Sequence, residues 1–353
     1  MKLMCKLCGA PVTEESFKKE NCIYCNTPID RDEVNIFLKT NEYLEDYNSE
    51  IRNKIRTISP LSPEEDNKFK ELLKYERINP NDLDDLYILY SIFKGDPTIS
   101  YETFVEFVKV FVGKTMNLVA KDINPNLTNV YTKVFIKALE QGKLGSTIEH
   151  HIYSIDNNQI EKLYKGDLNA FVTLVHEMYH GVHDISIKSG KVNSIFMQII
   201  KEQIIRSDYN EKHNNDDFYY IKNYKSISYE VYAQQAAVNM LEFTLNAFNL
   251  RARDEDIDFL RNQYDRDLSN QNRVIMVDGK EEITTVDEIF KDIVKSHPEV
   301  LNDFPQLKLE YVVENNEVRE KTKDELKATL EGLTDEDAII YIKDKINKRN
   351  LSQ

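Results

Sequence analysis

No stretch of this 353-residue chain approaches the ~18 apolar residues that a membrane-spanning helix requires, and its first residues lack the apolar core of a secretory signal. A membrane span is not expected. The cytoplasm is the expected compartment, and leaderless export, which leaves no such mark, stays compatible with it. Positive charge is in deficit: 46 Lys and Arg face 61 Asp and Glu, for a net charge of −15. That balance opposes broad contact with a phosphate backbone, so nucleic acid is not an expected partner. Cysteine is scarce, with four residues, and neither an internal repeat nor a low-complexity tract is present. What remains is 41% apolar, enough for two or three domains with cores of their own.

The four cysteines fall in two pairs, Cys5-Lys6-Leu7-Cys8 and Cys22-Ile23-Tyr24-Cys25, separated by thirteen residues. Two CxxC pairs at this spacing suit one closed tetrahedral zinc. Gly9 and Asn26 follow the pairs and let backbone amides turn towards the thiolates. Disulfides fit poorly with two-residue spacings and no secretory segment. The pattern resembles a zinc ribbon over residues 1–30, a length of about 30 residues that cannot bury enough apolar surface without its metal. Lys2, Lys6, Lys18 and Lys19 are offset by Glu14, Glu15 and Glu20, so the expected role is structural or protein-docking.

The second constellation is His176-Glu177-Met178-Tyr179-His180. Histidines four apart on a helix are displaced by about 6 Å along its axis and share one face, so both imidazoles can reach one metal. Zinc with an open position lowers the pKa of its water, and Glu177 is placed to take the proton. From Thr173 to Val182 the only charged residue besides the histidines is Glu177, as a helix behind an active site requires. In this window the chain resembles the zincin metallopeptidases. His183 lies about 10 Å from His176 along the axis, too far for the same ion, and it occupies the glycine position of the metzincin pattern.

A third protein ligand must come from elsewhere, and Glu230 is the leading candidate. It stands near the start of an expected helix, Ser228 to about Asn249, where a lone carboxylate among Val231, Tyr232 and Ala233 is costly unless paired or metal-bound. The series Glu230, Ala233, Ala237 resembles the gluzincin pattern of HExxH followed further along by ExxAxxxA, whose glutamate is the third zinc ligand. Gln234 departs from it, because several gluzincins carry aspartate there to orient a zinc histidine; Asp184 is a substitute. Glu202 is the rival ligand, although Lys201 and Arg206 offer it ordinary surface partners. Asp208, His213 and Asp216 remain open.

Gly145 to Ile155 is rich in β-branched and aromatic residues and reads as one strand. In zincins such a strand edges the cleft, so the resemblance implies peptide binding by strand addition. His150 and His151 would point to opposite faces of it. For a transition-state donor, Tyr224, Tyr229, Tyr232 and His213 are all near enough in sequence.

The expected fold is α+β and mainly helical: a ribbon at 1–30, a helical region at 31–142, a zincin-like core at 143–270 and a small α+β region at 271–353. Helices are expected over 32–57, 63–77, 81–94, 101–121, 127–141, 286–296, 323–331 and 335–348. Strands are expected over Val274–Val277 and Leu307–Val313. The resemblance implies two Zn²⁺, one catalytic and one structural, and a protein or peptide substrate, with a possible protein partner at the ribbon. His176, His180 and Glu230 would hold the catalytic zinc, and Glu177 would be general base and then proton donor to the leaving amine. Two other classes fit the same residues: an inactive zincin-fold scaffold that recruits a partner through the ribbon, and an effector protease dedicated to one host protein.

Overall fold

A computed structural model describes Asn21 and residues 83–126, 132–139, 144–148, 152–213, 218–248, 250–265, 272–314 and 317–351. Cys5, Cys8, Cys22, Cys25, His150, His151, Asp216 and the helices expected over 32–57 and 63–77 lie outside these residues. Among the described residues the chain is mainly helical with three small sheets. It divides into two compact units, Met1–Met178 with Leu241–Arg251, and Tyr179–Met240 with Ala252–Gln353.

In the first unit, α1 (Leu83–Phe93) precedes α2 (Tyr101–Ile123), whose N-terminus is capped by the Ser100 side chain accepting from the Thr103 N–H. Phe104, Phe107, Val108, Val112 and Met116 form its buried stripe, as the helical spacing of the aromatics predicts. A three-stranded sheet follows: β1 (Lys133–Lys137), β2 (Gly145–Ile148) and β3 (Ile152–Asp156), in the order β1-β3-β2. Central β3 pairs parallel with β1 and antiparallel with β2, with Thr147 opposite Tyr153.

Two expectations are corrected here. The segment expected as helix over 127–141 contains β1, because pairing Lys133–Lys137 with the buried β3 outweighs a short helical spacing of apolar residues. The run Gly145 to Ile155 is two antiparallel strands, not one, so its first half forms an edge and its second half the sheet centre. Asp156 then caps α3 (Asn157–Tyr164) by accepting from the Asn158 N–H at 2.9 Å. Next comes α4 (Leu168–Lys188), which carries the HExxH run and is buried at nearly every position from Ala170 to Met178. Gly190, in the left-handed region at φ +75°, follows this helix where a side chain would be strained.

The second unit takes α4 from Tyr179 onward; α5 (Ser194–Lys212) is capped by Asn193, and α6 (Phe218–Asn223) and α7 (Ser228–Ala247), which belongs to this unit as far as Met240, follow. Beyond α8 (Asp254–Arg261), the hairpin β4 (Asn272–Val277) and β5 (Lys280–Thr285) leads into α9 (Val286–Ser296). Thr285 and Glu288 form a capping box there, as Thr322 and Glu325 do at α11 (Lys323–Glu331). Between them lie α10 (Val300–Asp303), a 3₁₀ turn at Pro305–Leu309 and the hairpin β6 (Tyr311–Glu314) and β7 (Glu317–Glu320). The strand expected over Leu307–Val313 is thus half turn and half strand. The last helix is α12 (Glu336–Leu351). One apolar core joins α5 to the C-terminal elements, through Met197, Ile200 and Ile204 with Phe290, Val294, Leu307 and Ile342.

Two buried cations, Arg273 and Lys201, organise this unit through their ion pairs. Arg273 donates to Glu202, whose other oxygen accepts the Ser228 N–H at the start of α7. Lys201 bonds Asp287 at 3.0 Å and Glu310 at 3.3 Å. The expectation of surface partners for Glu202 is therefore corrected: Lys201 is itself buried, and Glu202 is fully buried against Arg273.

Candidate metal centre

The helical geometry of α4 brings His176 and His180 to one side, one turn apart. Glu230 lies in the first turn of α7, which the Glu202 carboxylate fixes at Ser228. One ligand atom from each of His176, His180 and Glu230 can be chosen so that all lie within 4.8 Å of one another, and the group could hold a metal ion. His176 and Glu230 are buried and His180 is half-buried.

The donor set suits a divalent cation. His180 Nε2 and Glu230 Oε2 stand 3.6 Å apart, beyond hydrogen-bond length but near the separation of about 3.4 Å between ligands in a tetrahedral site with bonds of about 2.1 Å. Two imidazoles and a carboxylate are also the mixed nitrogen and oxygen donors that zinc accepts. The free edge of Glu230 is engaged as well: Tyr220 donates its hydroxyl to Oε1 at 2.9 Å, leaving Oε2 towards His180. Burial, and then the negative charge of Glu230, push the Tyr220 hydroxyl well above the usual tyrosine range. Tyr220 stays a donor at any ordinary pH.

Glu177 is seated against the edge strand β2. Thr147 Oγ1 lies 2.7 Å from Glu177 Oε2 and 2.9 Å from the Glu177 carbonyl, so one hydroxyl proton serves two acceptors. Gly145 makes the approach possible, since a Cβ there would come within 2.6 Å of Glu177 Cγ and 2.8 Å of Oε1. The carboxylate is held by one short side chain and by the absence of another.

The other candidates are engaged elsewhere. Glu202 is held by Arg273, Asp208 pairs with Lys212 at 2.9 Å, and His213 stacks on Tyr209 at 4.2 Å. His183 is buried, its ring edge-on to Phe196, in keeping with a packing role. Asp184 pairs with Lys188 at 3.1 Å. Gln234 donates its amide to the Leu260 carbonyl at 2.8 Å and to Gln263 at 3.2 Å. Of the tyrosines expected near the site, Tyr229 packs its ring edge-on to His180, 5.7 Å between centroids, while Tyr224 bonds Tyr264. Tyr220, Thr147 and Gly145 were not among the expected site residues. Only the glycine at the start of a β-branched run carried a signal that could have found one of them.

Comparison with protein-family models, with curated proteins and with solved structures finds no match to this chain.

Proposed function

We propose that this protein is a zinc-dependent, gluzincin-like metallopeptidase in which His176, His180 and Glu230 hold the ion and Glu177 is the catalytic carboxylate. The observation that carries this reading is the clustering of the three donors beside a separately seated glutamate. When bound, the metal supplies Lewis acidity towards water and the carbonyl of the scissile bond. Glu177 takes the proton of the attacking water on its carboxylate and returns it to the leaving amine. Thr147 fixes Oε2 of that carboxylate, so Oε1 is the oxygen left to carry the proton. Tyr220 holds Oε1 of Glu230, so Oε2, which stands beside His180, would be the oxygen that binds the ion.

The ribbon-like cysteines at Cys5, Cys8, Cys22 and Cys25 are proposed to hold a second, structural zinc and to offer a docking point for a protein partner. The amide of Gln234, committed to Leu260 and Gln263, favours a second reading in which the zincin-like core is an inactive scaffold. Replacing Glu177 by Gln separates the two. The peptidase reading predicts that Glu177→Gln retains its metal and loses roughly 10²–10⁴-fold in hydrolysis of a peptide mixture. A wild-type chain loaded with zinc that cleaves nothing the variant does not cleave supports the scaffold.

A further inference from the structure

Arg206, on α5, is half-buried beside the metal centre and engages two of its tyrosines. Its Nη1 donates to the Tyr229 hydroxyl at 2.8 Å, and its guanidinium carbon lies 4.2 Å from the centre of the Tyr220 ring. Tyr220 in turn donates to Glu230, and Tyr229 packs on His180. Stacking occupies a face of the guanidinium, and the phenol takes one N–H of the five; among the described residues the in-plane fork that recognises carboxylates is otherwise uncommitted.

Arg253, Arg273 and Arg319 each hold a carboxylate within 2.8 Å. Arg206 holds none among the described residues; its partners are a neutral hydroxyl and a ring face. The two acids whose charges act with Arg206 on Tyr229 are otherwise occupied: Glu202 by Arg273, and Glu230 by Tyr220 and the candidate metal group. A guanidinium anchored by aromatics, with its fork open, is a binding group awaiting an anion.

We infer that Arg206 is a specificity residue that receives a carboxylate of the peptide substrate. The inference rests on the peptidase reading and adds a substrate class to it: peptides with an acidic side chain, or a free C-terminus, at a fixed distance from the cleaved bond. That distance is bounded. Tyr220 links the two groups, so the guanidinium lies within about 10 Å of the Glu230 oxygen, the span of about three extended residues. Adding about 4 Å from the Glu230 oxygen through an ion to the scissile carbonyl, and about 4 Å from the guanidinium to its anion, places the carboxylate no more than about five residues from the scissile bond.

The test is a digest of a proteome-derived peptide mixture by the zinc-loaded full chain, with cleavage sites read by mass spectrometry. The expected result is roughly tenfold enrichment of Asp and Glu at one position within about five residues of the cut, or of cuts at that distance from the C-terminus. The first pattern assigns the carboxylate to a side chain and the second to the chain end. In Arg206→Gln the enrichment falls to background while zinc per chain stays unchanged; in Arg206→Lys a weaker enrichment survives. Cleavage without acidic preference, or a preference that Arg206→Gln leaves intact, overturns the inference while sparing the peptidase reading. So does uniform slowing at every site, which marks Arg206 as a mere support for its tyrosines. No cleavage by the wild-type chain removes both.

Discussion

Glu177 is held from two directions, and each makes a prediction at the level of single atoms. Thr147→Val removes the hydroxyl and leaves the shape, so hydrolysis should fall roughly 10–100-fold at unchanged zinc content, with Thr147→Ser restoring much of it. Gly145→Ala should act alike, because the new methyl group displaces the carboxylate. Both are checked by turnover beside elemental analysis. Tyr220→Phe acts on Glu230 instead and, if the proposed zinc site is right, should weaken zinc binding about 10–100-fold against a competing chelator. The histidines and Glu177 were legible in the sequence because one helical turn fixes their relation. Thr147 and Tyr220 were not, since nothing local specifies a partner thirty or ten residues away.

At the level of elements, the start of α7 depends on a pair outside the site. Glu202 accepts the Ser228 N–H and is neutralised by Arg273, so this pair sets where Glu230 begins its turn. Burial pushes the Glu202 carboxyl up, and Arg273 and the Ser228 N–H oppose that push. Arg273→Met leaves a buried charge alone and should cost about 3–5 kcal/mol in urea unfolding, of which adding Glu202→Met recovers a large part. Helix boundaries with a written cap were legible: Thr285 with Glu288, and Thr322 with Glu325, mark the starts of α9 and α11. The antiparallel pairing of β2 with β3 was hidden because no Gly, Pro or Asn between Gly145 and Ile155 signals a break in the run. The parallel pairing of β1 with β3 was hidden for the opposite reason: the partner is distant and the segment's own spacing suggests a helix.

At the scale of the molecule, the C-terminal elements are part of the core that supports α5. Glu310 ties them together, with Lys201, Lys345 and the Tyr341 hydroxyl around it. Burial alone would raise its carboxyl, but the two lysines and the hydroxyl outweigh burial and hold it at about 2. A folded value depressed below the unfolded one, about 4.3, gives stability that is fully present above the unfolded value and lost as pH falls towards the folded one. Stability should therefore drop between about pH 5 and pH 2, starting lower and falling less steeply in Glu310→Gln.

The central claim concerns metal, and zinc counted per full-length chain by elemental mass spectrometry tests it most directly. The account predicts two in the wild type, one after His176→Ala or Glu230→Ala, and one after Cys5→Ser with Cys8→Ser. A His176→Ala chain that is folded and keeps the wild-type count would contradict it.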